Sequence, residues 1–304
     1  MSGVITMREL GRCGRWGNQV FQYQFLRLYA DRWGLEVQLP PWVGNELCGF
    51  SEPNISVMLP HAHEKWQGNH LDEQVPPRAN EFVNTDWRGY AQYHASYYAP
   101  WKYEIRSWFM PTLEVLDQVL PATQWALEQF IAKRTIIGLH IRRGDYGRLI
   151  FHLTPKEWWR KWLEENWQRF VNPILFIATE SPETLEWFAD YDPVTMADLN
   201  VTLKPSRRYY NYLSHDLAKR EPWQMDFFPD WYMLTLCDVL ALSNSTFGFT
   251  AAMMNKFLQE CWRSSIPEQG FESIDPWDSR PMRLERCEDY PDVEGIALKR
   301  NPYW

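Results

Sequence analysis

The stretch that decides the fold is TIIGLHIRRGDY, residues 135–146. Apart from Gly138 and His140, its first seven residues are apolar or β-branched, a composition suited to a strand covered on both faces. Gly144 and Asp145 then break the run, so Arg142 and Arg143 fall at its carboxyl end. Open α/β sheets hold their ligands at that edge, and two adjacent guanidiniums there point to an anion. A guanidinium fork grips a phosphate through two parallel hydrogen bonds, each charge-assisted contact contributing about 1.5–3 kcal/mol, whereas a lysine acts as a point charge. The plainer alternative is an ion pair to Asp145 or another carboxylate.

Downstream of this strand the rhythm is regular. A helix over 155–170 opens at Thr154-Pro155, with proline suited to a first helical turn. A strand over 174–178 follows, then a helix over 182–189 opening at Ser181-Pro182, and a helix over 228–237. The apolar run 239–243 leads into Asn244-Ser245-Thr246, which suits a helix cap. Strands alternating with helices imply a parallel sheet.

Upstream, residues 4–10 read as a strand, and GRCGRWGNQ at 11–19 follows. Next comes a helix whose Phe21, Phe25, Leu28 and Tyr29 share one face. Gly34 closes that helix, and Leu35–Leu39 forms a second strand, so residues 4–39 make a β-α-β unit. Residues 40–80 are rich in Pro, Gly, Asn and His and carry no assignable element; a long irregular excursion of this kind is often functional. From Asp86, DWRGYAQYHASYYAPWKYEIRSWF reads as strand, loop and helix. A helical stretch after Pro111 then leads back to residue 135. The expected organisation is α/β with two Rossmann-like halves: a first domain over 1–125, a second over 126–265, and a segment over 266–304 that packs back onto the first.

The chain has 304 residues, a net charge of −8, 16% aromatic residues and 18 Trp. Its acidity argues against a nucleic-acid or anionic-membrane partner, which makes a local arginine pair more telling. Five cysteines without CxxC spacing suit a reducing compartment. The first thirty residues contain charges and no apolar core of a signal peptide, and no stretch has the length of a transmembrane helix. A cytoplasmic location is therefore the expectation.

Three candidate anion-facing sites follow strands: GRCGRWGNQ at 11–19, HIRRGDY at 140–146 and SNSTF at 243–247. In the last, hydroxyls and unpaired N–H groups at a helix start suit a phosphate, although such runs are also ordinary caps. The glycine-rich run lacks both the dinucleotide fingerprint and the P-loop spacing. Asp190-Tyr191-Asp192 matches a DxD metal motif but falls at a helix end, and His61, His63 and His70 lack further ligands, so no metal site is expected.

Taken together, these segments resemble the α-1,2-fucosyltransferases, and more distantly the α-1,6- and protein O-fucosyltransferases. The resemblance rests on GRWGNQVFQYQF at 14–25, RGYAQYHASY at 88–97, HIRRGDY at 140–146, and DWYMLTLCDVLALSNSTFGFTAAMMN at 230–255, in that order. It implies a glycosyltransferase B architecture with two Rossmann-like domains facing a cleft, the first of them on the acceptor side. It further implies a GDP-fucose donor, inversion at the anomeric carbon, no metal or other cofactor, and transfer to a sugar hydroxyl. That hydroxyl is expected to be the 2-OH of a terminal galactoside, with α-1,6- or protein O-fucosylation, or non-catalytic nucleotide or glycan binding, as alternatives.

By the same resemblance His140, Arg142 and Arg143 belong at the donor, with Arg142 nearest the diphosphate. Asn244, Ser245, Thr246 and Phe247 line its other side, and Arg15 and Asn18 face the cleft from the first domain. Where the family's next strand ends in a Ser/Thr-Asp-Asp turn, this chain has Ala178-Thr179-Glu180-Ser181, leaving Glu180 to accept from guanine N–H groups. Asp145 is the nearest acidic candidate for a catalytic base by sequence, with orientation of Arg142 as its other reading. Trp87, Tyr90, Tyr93, Tyr97 and Tyr98 are candidates to stack on an acceptor sugar, against core packing.

Overall fold

The computed structural model describes residues 3–67, 73–205 and 223–298. It separates into two α/β units. Among the described residues, the first comprises those up to Gln118 together with 203–205 and 223–227; the second comprises Val119–Thr202 and 228–298.

In the first unit, β1 (Val4–Thr6), α1 (Trp16–Trp33) and β2 (Glu36–Gln38) form the expected β-α-β, with β1 and β2 parallel. Gly34 closes α1 at φ 63°, ψ 41°, the left-handed conformation that glycine adopts without a Cβ penalty. The 40–80 stretch, unassignable from its composition, contains α2 (Val43–Cys48) and three three-residue strands: β3 (His61–His63), β4 (Lys65–Gln67) and β5 (Glu73–Val75). Strands this short carry almost no periodic signal. Pairing supplies it instead, since β3 lies parallel to β6 (Thr85–Arg88), and β4 pairs antiparallel with β5. The sheet runs β2-β1-β6-β3.

Helix α1 buries more than the expected face. Phe25 stacks against Trp87 of the sheet with ring centroids 4.6 Å apart. On its other sides Trp16 meets Trp42 at 6.0 Å, Tyr23 meets Phe50 at 4.0 Å and Phe21 meets Tyr98 at 5.8 Å. Gln19, Gln22 and Gln24 are buried with them. The rings of Trp87, Tyr93 and Tyr98 are fully buried, so core packing, not stacking on a sugar, is their role. The unit continues through α3 (Lys102–Trp108) and α4 (Leu113–Gln118).

The second unit begins with α5 (Leu120–Ile131), and its sheet runs β11-β10-β9-β7-β8. Strands β7 (Ile136–Ile141), β8 (Ile174–Thr179), β9 (Val239–Leu242) and β10 (Glu260–Ser265) are mutually parallel, and β11 (Gly270–Ser273) adds an antiparallel edge. All six residues of β7 are buried. Alternation sorts them: Ile137, Leu139 and Ile141 join Trp159, Trp162 and Leu163 of α6 (Lys156–Asn166) in one core, while Gly138 and His140 face the opposite side. Gly138 has no room for a side chain, because a Cβ there would lie 2.7 Å from Cys237 Sγ. Helices α7 (Phe228–Leu234) and α8 (Thr246–Met254) pack on that side. The segment expected as a helix over 182–189 is a 3-10 segment over Pro182–Tyr191, kinked at Phe188.

Two boundaries differ from expectation. The division falls at 118/119, not at 125/126, because α5 joins the second unit, with Thr123 Oγ1 3.1 Å from the Tyr232 hydroxyl. The described part of the final segment groups with the second unit. Through residue 298 it packs on the second: Ile266, Cys287 and Ile296 cluster with Trp158, the Leu153 N–H donates to the Ile296 carbonyl, and the Leu298 N–H donates to Gly147. The antiparallel edge strand β11 gives that segment its anchor. No helix among the described residues is long and apolar enough to cross a membrane.

Candidate functional site

The carboxyl ends of β7, β8 and β9 gather most of the expected site residues. Where β7 ends, the Arg142 N–H donates to Ser243 Oγ at 2.9 Å, locking the arginine loop to the end of β9. The Arg142 guanidinium, mostly buried, pairs through Nη1 with Glu180 at 3.0 Å and through Nη2 with Asp145. It also lies over the Tyr146 ring, with Cζ 5.4 Å from the centroid. The next residue points elsewhere: Arg143 Cζ sits 5.1 Å over the Trp187 ring. Gly144 takes φ +33°, and a Cβ there would come within 3.1 Å of Glu180 Oε1 and 3.3 Å of Arg142 Nη2. The ion-pair alternative for Arg142 is therefore realised, twice over, and with three of its five N–H donors beyond those two pairs the fork still suits an oxyanion.

His140 is buried with its ring 5.1 Å from that of Phe247, and a Cβ at Gly248 would meet it at 2.8 Å. Burial, reinforced by the nearby Arg142 charge, pushes its pKa down to about 3, so the imidazole is neutral at ordinary pH. Its Nδ1 is buried with no hydrogen-bond partner among the described residues. Across the site, Ser245 caps α8, accepting from the Phe247 N–H at 3.3 Å. The nine-residue α8 thus directs its N-terminal end, with Thr246 in its first turn, toward the same strand edge. The Tyr146 hydroxyl ties the two motifs together by donating to the Asn244 carbonyl at 3.1 Å.

Two expected donor contacts are otherwise engaged. The Asn244 side chain is fully buried; its amide donates to the Ile150 and Arg283 carbonyls at 2.9 and 3.1 Å, and its oxygen accepts from the Arg283 N–H at 2.7 Å. It is a pin between three loops. Glu180 Oε1 accepts from the Arg143 N–H at 2.7 Å as well as from Arg142. Asp145 is held against Arg142.

Arg15 and Asn18 belong to the first unit. Arg15 stands exposed at the start of α1 in extended conformation. Asn18 Oδ1 accepts from Gln92 Nε2 at 2.7 Å, and Gln22 Nε2 donates to both Cys13 and Gly89 carbonyls at 3.0 Å. The 14–25 and 88–97 motifs are thereby stitched together. Gly14, at φ +82°, leaves no space for a side chain beside the Asn18 amide.

Sequence reasoning passed over Glu64. Its two oxygens accept from the Tyr90 and Ala91 N–H groups at 2.9 Å each, holding Ala91 at φ 52°. Burial pushes its pKa up to about 7 against those hydrogen bonds. An isolated glutamate in an irregular stretch gave no signal. Of the other sequence candidates, His61 Nδ1 lies 2.9 Å from the buried Asp86, and Asp190 pairs with Arg160. His70 lies outside the described residues. Among the described residues no group of three or more His, Cys, Asp or Glu side chains is placed to hold a metal ion.

No family model matches the chain. It is 24% identical over 274 residues to mouse (Mus musculus) galactoside alpha-(1,2)-fucosyltransferase 2, covering 84% of this chain and 69% of that protein. The rabbit (Oryctolagus cuniculus) protein of the same name is likewise 24% identical over 268 residues, with coverage of 83% and 67%. Among solved structures, the NodZ alpha-1,6-fucosyltransferase soaked with GDP-fucose superposes with a TM-score of 0.54 at 14% identity, over 90% of this chain and 99% of that one. A point mutant of Arabidopsis thaliana FUT1 in complex with GDP gives 0.50 at 12% identity, over 95% and 78%. The fold is of the glycosyltransferase B type, and the sequence is similar at low identity to galactoside α-1,2-fucosyltransferases.

Proposed function

We propose that this protein is a fucosyltransferase that moves L-fucose from GDP-fucose to a sugar hydroxyl, with inversion and without a metal. The observation that carries the proposal is Arg142, mostly buried and held in a fixed orientation at the carboxyl edge of β7. It stands beside the capped N-terminal end of α8, in a chain whose relatives are fucosyltransferases.

The chemistry explains why such a site would suit this reaction. As the bond to fucose breaks, positive charge grows on the sugar and negative charge on the departing diphosphate. A preorganised guanidinium aimed at that diphosphate stabilises the transition state more than the ground state. Arg142 would take the β-phosphate, while Ser245, Thr246 and the α8 N–H groups would supply further donors. The neutral, buried His140 ring would form the apolar floor with Phe247, and the first unit would carry the acceptor.

Both linkages have support. The curated relatives are named for α-1,2 transfer to galactosides, whereas the NodZ structure is named for α-1,6 transfer. Acceptor profiling separates them: terminal galactosides fucosylated at O2 favour the first, and sugar acceptors fucosylated at a 6-hydroxyl favour the second. The test of the shared reading is calorimetric titration with GDP, ADP and UDP in EDTA, followed by a transfer assay with GDP-fucose. GDP-selective binding with turnover is expected. Equal binding of the three nucleotides, or GDP binding without transfer or donor hydrolysis, would replace catalysis by a binding role.

A further inference from the structure

Glu180 stands in the turn that follows β8. One of its two carboxylate oxygens is committed within the loop. Oε1 accepts from the Arg143 N–H at 2.7 Å and pairs with Arg142 Nη1 at 3.0 Å, so one oxygen fixes both the backbone that carries the arginines and the guanidinium itself. Gly144 is shaped to allow this, since a Cβ there would crowd the same oxygen at 3.1 Å. On the far side Asp145 takes Nη2. The guanidinium plane is thus defined at both ends, and the Tyr146 ring lies 5.4 Å beneath it. Of the two carboxylates, Asp145 is more exposed and sits only three residues along the chain, whereas Glu180 reaches across from the neighbouring strand.

We propose that Glu180 is a positioning residue for the phosphate-binding arginine and takes no part in reading the nucleobase. The inference rests on the donor reading above and goes beyond it by assigning Glu180 to the diphosphate end of the ligand. It separates the two ends experimentally. If Glu180 acts through Arg142, its loss weakens only the part of binding that depends on the β-phosphate; if it reads guanine, its loss weakens every guanine nucleotide and erodes discrimination against adenine.

The experiment is calorimetric titration of the wild type, Glu180→Gln and Glu180→Ala with GDP, GMP and ADP. Gln keeps an acceptor for the Arg143 N–H and removes only the negative charge that faces Arg142; Ala removes both. GDP affinity is expected to fall about tenfold in Glu180→Gln and further in Glu180→Ala, the scale of a charge-assisted hydrogen bond lost from a positioned arginine. GMP affinity stays within twofold of the wild type, and the preference for GDP over ADP is kept. A parallel loss of GMP and GDP binding with collapse of that preference would overturn the proposal, as would unchanged GDP affinity in both variants. A wild type that binds no GDP would instead reject the donor reading itself, which is a distinct result. A merely structural role would lower GDP and GMP affinity by the same factor, so the ratio of the two is the diagnostic quantity.

Discussion

The two units bury polar groups in opposite ways. In the second unit the core between the sheet and α6 is apolar, and a set of polar residues collects at the strand ends, where Arg142, Ser243, Glu180 and Asn244 meet. In the first unit the polar groups run through the core itself: α1 buries three glutamines among aromatic rings, and Glu64 sits buried beneath the 88–97 loop. The lesson concerns what holds each unit together. Six-residue strands such as β7 and β8 make a continuous ladder that fixes the second unit. Three-residue strands cannot do this, so the first unit relies on side-chain amides and a carboxylate that bond to backbone. A buried polar group is tolerable only when hydrogen-bonded, which makes each of these contacts individually consequential.

The largest expected effect tests the polar edge of the second unit. Arg142→Lys keeps the charge but loses the planar fork, and kcat/KM for GDP-fucose is expected to fall about 10²–10³-fold. Steady-state rates within threefold of wild type would remove Arg142 from the diphosphate.

Next comes the opposed pH response of the two interiors. The Glu64 pKa is raised to about 7, from an unfolded value near 4.3. Its contribution to stability is complete below about pH 4.3 and is lost as pH rises through 7, a total swing of about 4 kcal/mol, of which about 3 kcal/mol falls between about pH 4.5 and about pH 7.5. In the second unit, burial lowers His140 to about 3 and His152 to about 4. Their contribution is complete above about pH 6.5 and is lost as pH falls toward those values. Urea unfolding of Glu64→Gln between pH 4.5 and 7.5 is expected to lack the 3 kcal/mol swing. If wild type and variant show the same pH slope, the carboxyl of Glu64 titrates normally and the contrast between the units fails.

Gln22→Leu probes the stitching of the first unit without changing its volume much. Two backbone carbonyls, those of Cys13 and Gly89, lose their donor, and a loss of about 2 kcal/mol is expected. Hydrogen exchange should report the loss in β1 and β6 and leave β7 and β9 unchanged; a uniform loss would mean that the two units unfold together. The smallest effect belongs to Ser245→Ala, which removes the cap of α8 and should cost about 1 kcal/mol. A stability loss much above that would show that Ser245 supports more than its own helix.

Much of this architecture is legible in local sequence. The apolar, β-branched run at 135–141 becomes a six-residue strand buried along its whole length, and the SNST run becomes a capped helix start. Gly34 ends α1 in the left-handed conformation expected of it. Period and capping are properties of neighbouring residues, so they survive without knowledge of the rest of the chain. The strands of residues 61–75 were not legible, because three residues make no period and their pairing partners lie elsewhere.

What the sequence by itself determined is the order of elements and the presence of two adjacent arginines at a strand end. What only the tertiary structure decided is what those side chains do. The Arg143 backbone meets Glu180 across 37 residues, Asn244 meets Ile150 across 94, and Glu64 meets Tyr90 across 26. Each contact depends on which strands are neighbours and in what register, and a shift of one residue would turn every side chain to the other face. Hydrogen-bond capacity is also finite: once the Asn244 amide and Glu180 Oε1 hold backbone, they are no longer available in the same way to a ligand. Residue type and spacing locate a site along the chain, but only the fold shows which of its groups remain available to the ligand.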